Sequence, residues 1–299
     1  MKTILTLAIL FFTNIIGVTA QTQSQPLTLN IQQAIQYTME HNPGVVVLQK
    51  QRAIAEAEIR IAEQWNNPAL ITEYTRSQPN YFVGAGYLLE LGGKRHNRIA
   101  IAKGEADLAQ LALSSGLRQL RHDIRVAFYE AFQSQERMKQ ITLSRDLADK
   151  LLDVTKERFE AGDVAKFEVL QTELETKRRE NELKEAESES KSADVELNTF
   201  LNRSPEEPLQ LNGALEEKPT IPPLETLVNQ AISQHIEIQS IQQELNTEEA
   251  RLALAKSERI PDLDLEGGTE INDADFQYGW RAALRLELPL LNQRKGEIA

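Results

Sequence analysis

Shifted against itself by 193 positions, the chain aligns Ile31–Tyr74 with Leu224–Gly267 without a gap. Only seven of the 44 pairs are identical, among them Glu56-Ala57 with Glu249-Ala250 and Pro68 with Pro261. The apolar spacing carries more weight. Ile31 meets Leu224, Ile35 meets Val228, Met39 meets Ile232, Leu48 meets Ile241 and Ile59 meets Leu252. In both copies the apolar period is near 3.6 before the proline and near 2 after it. The chain is therefore a duplicated unit of helix followed by strand, and each repeat is one structural unit.

The strand segments are the more unusual half of the unit. From Phe276 to Leu288, one face reads Phe276, Tyr278, Trp280, Ala282, Leu284, Leu286, Leu288. The other reads Gln277, Gly279, Arg281, Ala283, Arg285, Glu287. Leu263, Leu265 and Gly267 alternate in the same way with Asp262, Asp264 and Glu266. In the first copy Tyr81, Val83, Ala85, Tyr87, Leu89 and Leu91 share a face, preceded by a strand at Ala69–Thr75. Ser77, Pro79, Asn80 and the pair Asn272-Asp273 mark the loops. The pattern predicts two hairpins, over 69–91 and 261–289. They fit either a half-buried sheet in a soluble domain or membrane strands. The strand length, and charges and glycines set opposite tyrosine and tryptophan, favour the membrane. Four strands cannot close a barrel and open edges are not tolerated in lipid, so that reading requires an oligomer. Asp264, Glu266, Arg281, Arg285 and Glu287 then line a lumen, because a charge on the lipid face costs about 2–4 kcal/mol near the midplane. They make a wet bore rather than a selective site.

Between Arg95 and Glu160 there is no proline, and Leu113, Leu117, Leu120, Ile124, Ala127 and Ala131 form a heptad seam. A continuous helix of that length spans roughly 100 Å. Ala161-Gly162-Asp163 breaks it, and a second helix over Lys166–Leu201 carries the seam Leu183, Ala186, Ser190, Ala193, Leu197, Phe200. The heptads alone fit any coiled coil. The return helix covers about half of the long one. After Asn202–Pro223, with five prolines and a candidate short strand at Leu209-Gln210-Leu211, helix resumes over Leu224–Ile260. Two short helices laid end to end would pair with the long one, making a rod from the hairpins to a tip at Gly162.

The N-terminus places this rod. Lys2, an apolar run from Ile4 to Ile16 and Val18-Thr19-Ala20 read as a secretory signal over residues 1–20, with a short membrane anchor as the alternative. Removing Lys2 takes the formal charge from -12 to -13. That sign argues against nucleic acid as a partner. The absence of cysteine excludes disulfides, thiolate metal sites, cysteine nucleophiles and a lipid-modified N-terminal cysteine. His41, His96, His122 and His235 lie far apart without metal-ligand spacing, and Met39 and Met138 are seam residues. Glu206-Glu207 and Glu216-Glu217 read as solvated loops. Nothing in the chain looks catalytic, and no cofactor or metal site is expected.

Signal, duplication, strand hairpins and long helical hairpin together resemble the TolC family of outer-membrane efflux channels. The most specific stretches are Glu90-Leu91-Gly92-Gly93-Lys94-Arg95, Arg158-Phe159-Glu160-Ala161-Gly162-Asp163-Val164, Asn42-Pro43 and Leu290–Ala299. The form Gly92-Gly93-Lys94-Arg95 is most similar to the heavy-metal, CzcC-like branch. The resemblance implies a mainly α fold with a small β part. In a homotrimer, four strands per protomer would build one transmembrane β-barrel, and the helices an α-barrel across the periplasm. It further implies a passive channel in the outer membrane of a Gram-negative bacterium, exporting small molecules or metal ions in a tripartite efflux or type I secretion system. The tip residues Arg158, Phe159, Glu160, Ala161, Gly162, Asp163 and Val164 would dock on a periplasmic adaptor joined to an inner-membrane pump of RND or ABC type. Gly92 and Gly93 would make the strand-to-helix bend. Lys94 and Arg95, with Arg98, would then crowd a helix N-terminus, where positive charge is unfavourable. They are expected to meet outer-membrane lipid headgroups, with ion pairs to Glu90 or Glu287 as the alternative.

The domain reading is accordingly 21–68 first-repeat helices, 92–201 helical hairpin, 202–223 linker, 224–260 second-repeat helices and 290–299 the start of a further hairpin. The second copy holds no counterpart of residues 101–201, so the expectation is a sequence cut short before a second helical hairpin. A periplasmic coiled-coil adaptor or scaffold is the alternative function. It would show a Gly-rich β domain between the hairpin arms, and none is evident.

Overall fold

The computed structural model describes residues 27–214, 221–272, 277–289 and 293–299. The signal segment, Glu216-Glu217, Asp273, Phe276 and Leu290 to Asn292 lie outside them. In chain order the elements are β1 (Leu27–Leu29), α1 (Ile31–His41), α2 (Pro43–Ala62), β2 (Ala69–Tyr74), β3 (Tyr81–Leu89), α3 (Lys94–Glu160), α4 (Lys166–Phe200), β4 (Leu209–Leu211), α5 (Leu224–Gln234), α6 (Ile236–Ser257), β5 (Leu263–Asn272), β6 (Gln277–Leu286) and α7 (Lys295–Ile298). The duplication is visible in these bounds: α1 and α5 are both 11 residues long and stand 193 positions apart.

The helical stretch of each repeat, read from the sequence as 21–68 and 224–260, is divided into two helices. In the first copy the cause is Pro43, which disfavours the helical region for Asn42 and lacks an N–H of its own. Asn42 is extended, with ψ 122°, and its side chain accepts from Gly44 N to start α2. In the second copy His235 takes the same conformation, with ψ 123°, without a proline. No local signal marks that break; its position is the repeat equivalent of Asn42.

The 67 residues of α3 form the spine. α2 and α6 pack along its first half, with Thr247 of α6 against Gly104 and Leu48 of α2 against Gly116. α4 pairs with its second half. The core lies where these halves meet. Ile124, Phe128 and Ala131 of α3 are fully buried with Ala34 of α1, Leu197 of α4 and Leu201. Phe128 and Phe132 stand outside the heptad seam and contribute its largest side chains. The short strand at 209–211 pairs in parallel with β1, which has no signal in the sequence, and Leu29, Leu209 and Leu211 seal the core. Asn42 Nδ2 donates to Phe200 O and Asn202 Nδ2 to His41 O, tying the break after α1 to the end of α4.

The four long strands form one antiparallel sheet in the order β2-β3-β5-β6, so β3–β5 pairing joins the two repeats. The strands at 81–91 and 276–288 are shorter than the alternation suggested, ending at Leu89 and Leu286. Beyond β3 the backbone turns: Leu91 N donates to Asp262 Oδ1 rather than to a neighbouring strand.

Beside the core, Gln135 bonds both Asp194 (2.8 Å) and the backbone of β4 at Leu209 O. Burial pushes the half-buried Asp194 carboxyl above its ordinary value, with the Gln135 bond opposing it. A carboxyl raised in the folded state makes folding less favourable as pH rises above the unfolded value. Asp194→Asn, which keeps the acceptor for Gln135, is therefore expected to raise the melting temperature at pH 7. The gain should vanish below the ordinary aspartate value of 3.8. Melting curves of the two proteins across that range provide the check.

Candidate channel-lining face

Cross-strand partners point to the same side of a sheet, so the register sorts every side chain. One face carries Leu70, Thr72 and Tyr74 of β2, Tyr81, Val83, Ala85, Tyr87 and Leu89 of β3, the odd-numbered residues of β5 and the even-numbered residues of β6. No charged residue lies on it. Trp280 is 84% exposed and Leu70 79%. Tyr74, Tyr81, Tyr278 and Trp280 gather at the hairpin-loop end, where the Tyr74 and Tyr81 rings meet at 5.0 Å with their planes tilted by 45°. The opposite face holds all the charges: Glu73, Asp264, Glu266, Glu270, Arg281 and Arg285, with Glu287 continuing the alternation just past β6.

The five residues singled out from the sequence thus share one side. Asp264 stands opposite Arg285, and their charges meet at 3.4 Å. Arg281 bonds Glu266 at 2.9 Å and Glu73 at 2.9 Å, and Glu270 lies 3.7 Å away. Its guanidinium sits 3.6 Å above the ring of Phe82, which is 3% exposed. Glu73, Glu270 and Phe82 escaped the sequence reading. Arg281 and Glu73 are 208 residues apart, and only the β3–β5 pairing brings their strands into one sheet.

At the base, Gly92 and Gly93 adopt φ +72° and +75°, a region open to glycine at no steric cost, and Gly93 starts α3. The cations that follow are engaged within the chain. Arg98 makes a two-pronged pair with Glu90 at 2.8 and 3.1 Å, a bond that holds its guanidinium pKa above the usual value. Lys94 meets Asp262 at 2.7 Å. Arg95 donates to Glu63 O and stacks over Trp65, 4.4 Å from the ring centroid. The headgroup expectation for Lys94 and Arg98 therefore gives way to ion pairing. Glu90 was foreseen, and Asp262 stands where Glu287 was expected.

At the far end, α3 closes in a complete Schellman turn. Gly162 N donates to Phe159 O and Asp163 N to Arg158 O, with Gly162 at φ +84°. Arg158, Phe159, Glu160, Ala161, Gly162 and Asp163 are exposed and Val164 half-buried. Phe167, which the sequence reading left out, is 72% exposed beside them. No group of acidic or histidine side chains suited to a metal ion occurs among the described residues.

Residues 34–203 match the family model described as outer membrane efflux protein. Over 289 residues the chain is 25% identical to the cobalt-zinc-cadmium resistance protein CzcC of Cupriavidus metallidurans, covering 96% of this chain and 68% of that protein. The fold is similar to that of the CmeC outer membrane channel of Campylobacter jejuni, with a TM-score of 0.72 at 14% identity, over 90% of this chain and 63% of that one. It is also similar to the outer membrane protein VceC of Vibrio cholerae, with a TM-score of 0.66 at 13% identity, over 90% and 71%. The chain thus spans about two thirds of the length of these proteins.

Asp262 holds both Lys94 and the N–H of Leu91, so it organises the strand-to-helix bend. Asp262→Ala removes two charge-assisted contacts and is expected to cost about 2–4 kcal/mol. Asp262→Asn, which still accepts from Leu91, should cost less than half as much. Denaturant titration of both variants measures the difference.

Proposed function

Because the chain belongs to the outer membrane efflux protein family, we propose that it forms the outer-membrane wall of a passive export channel. The family is one of channels, not enzymes. The observation that carries the reading is the uncharged, aromatic-edged face of a four-stranded sheet whose outer strands β2 and β6 each pair on one side only. Three of the four strands, of 9–10 residues, match a bilayer core, and the edge strand β2 has six. In lipid every backbone donor and acceptor needs a partner, so β6 of one protomer must pair with β2 of the next. Three protomers would close a ring of twelve strands, within the range of known single-chain barrels.

In this arrangement the apolar face meets outer-membrane lipid, and Asp264, Glu266, Arg281, Arg285 and Glu287 line the bore. The helices project into the periplasm. The tip from Arg158 to Val164 offers an exposed turn with Phe159 and Phe167 to a periplasmic adaptor linked to an inner-membrane pump of RND or ABC type. Solute movement is driven by that pump. The similarity to a cobalt-zinc-cadmium resistance protein supports divalent metal ions as cargo within the wider class of small molecules. The adaptor alternative has no observation of comparable weight behind it, since it leaves the uncharged sheet face without a use.

Three predictions test this reading. The protein is expected in outer-membrane fractions as a detergent-stable trimer. Ala282→Arg should lower membrane insertion, because a cation on the lipid face near the midplane costs about 2–4 kcal/mol. Ala283→Arg, at the same depth on the opposite face, should not; equal insertion of the two variants would defeat the assignment of faces. For the tip, Gly162→Val forces a branched side chain into φ +84°. It is expected to abolish cross-linking to the adaptor while trimer formation persists.

A further inference from the structure

One side chain on the polar face reaches across all four strands. Arg281 starts on β6, passes over β5 and β3 and ends on Glu73 of β2. It can lie flat because Gly268 stands directly opposite it, and Gly84 directly opposite Gly268. A Cβ on Gly84 would come within 2.5 Å of the Phe82 ring and 2.6 Å of Gly267 O, so this floor admits no side chain. Phe82 fills the trough, and the guanidinium roofs it at 3.6 Å. Two glutamates hold the roof down at 2.9 Å each. Glu73 and Glu266 are also equivalents in the duplication, 193 positions apart. One arginine is thus gripped by the same residue from each repeat.

We propose that Arg281 is a positioning residue of the bore. Strapped across the glycine floor and over the buried Phe82 ring, it keeps its own side chain out of the lumen, and so sets the width and charge of the passage at this level. The proposal rests on the channel reading for the word bore, but the strap itself is a property of the sheet. If Glu73 and Glu266 lose their charge, only the longer contact to Glu270 and the Phe82 ring still hold the arginine, and it stands into the passage more of the time. If the arginine is removed, nothing stands there. The two changes therefore act on conduction in opposite directions, which a purely structural stitch would not do.

The chain contains no cysteine, so Phe82→Cys introduces a single thiol beneath the strap. Its reaction with a charged maleimide is measured on folded protein in membrane vesicles or detergent, against Gln277→Cys on the same face. The expected rate is about tenfold slower than the control, by the protection a closed local structure gives. Adding Glu73→Gln and Glu266→Gln should restore the faster rate. In planar bilayers the Glu73→Gln/Glu266→Gln protein should show lower single-channel conductance, and Arg281→Ala equal or higher conductance. Where the double variant does not fold, Glu73→Gln alone, on the edge strand, is read in the same way. Labelling that ignores the two glutamates, or conductance that falls alike in both variants, would overturn the proposal. Strap-dependent labelling in a folded protein that does not conduct would retain the strap and reject the channel reading instead.

Discussion

An antiparallel sheet with one uncharged face and two open edges cannot remain as it is in any solvent. In water the uncharged face, with Trp280, Tyr278 and Leu70 exposed, is an aggregation surface. In lipid the face is satisfied but the edges are not, because no water reaches the unpaired N–H and C=O groups of β2 and β6. In lipid, both difficulties would be removed if β6 of one copy paired with β2 of another. Such a contact is head-to-tail, so it must close into a ring or grow without end. The helices inherit that geometry, since α3 leaves β3 through two glycines and cannot take a direction independent of the sheet. The distal hairpin follows the same logic. Leu143, Leu147 and Leu151 on α3 and Leu170 and Leu174 on α4 are all more than half exposed, more apolar surface than two helices can cover for each other.

The buried core is accordingly not at either end. It sits midway, where α1, the middle of α3, the end of α4 and the β1–β4 pair converge, with Ile124 and Phe128 wholly enclosed. Large side chains concentrate there because three layers meet and water is excluded from every side. Toward the tip the hairpin has only two layers. Polar residues such as Thr176 and Ser190 then occupy the seam, and close approach of the helices does the work of bulk. Stability is concentrated in the part of the molecule that needs no partner.

What could be read from the residues depended on how far apart the interacting groups lie. Period and punctuation are local, so the duplication, both hairpins and the helix over 95–160 were legible; α3 begins one residue earlier, at Lys94. Gly162 was legible as a turn because φ +84° suits almost no other residue. The break at His235 was not, since no proline enforces it. β1 was not, since three residues pairing in parallel with a strand 182 positions away leave no pattern. The charged residues share one face of the sheet, as the alternation of the sequence alone places them. Its internal pairing was not, because Arg281 to Glu73 and Lys94 to Asp262 both depend on strand order and on the turn after β3.

The two copies also show how far a sequence can specify a contact that its own chain does not make. In α1, Ala34 and Thr38 are fully buried against α3 and its neighbours. At the equivalent places α5 carries Leu227 and Ala231, flanked by Leu224, Val228 and Ile232, yet no residue of α5 is buried. The apolar face is as well formed in the second copy as in the first, and its side chains are larger. Burying such a side chain is worth about 1.5–3 kcal/mol, so among the described residues α5 forgoes several kcal/mol, with α6 as its main support. Among the described residues no surface covers this face. The chemistry that covers the equivalent face in the first copy is a long helix presenting Ile124, Phe128 and Ala131, backed by Leu197 of α4. A helix such as α5 is stable to the extent that its partner is present, which makes it the element of this fold whose order reports on assembly.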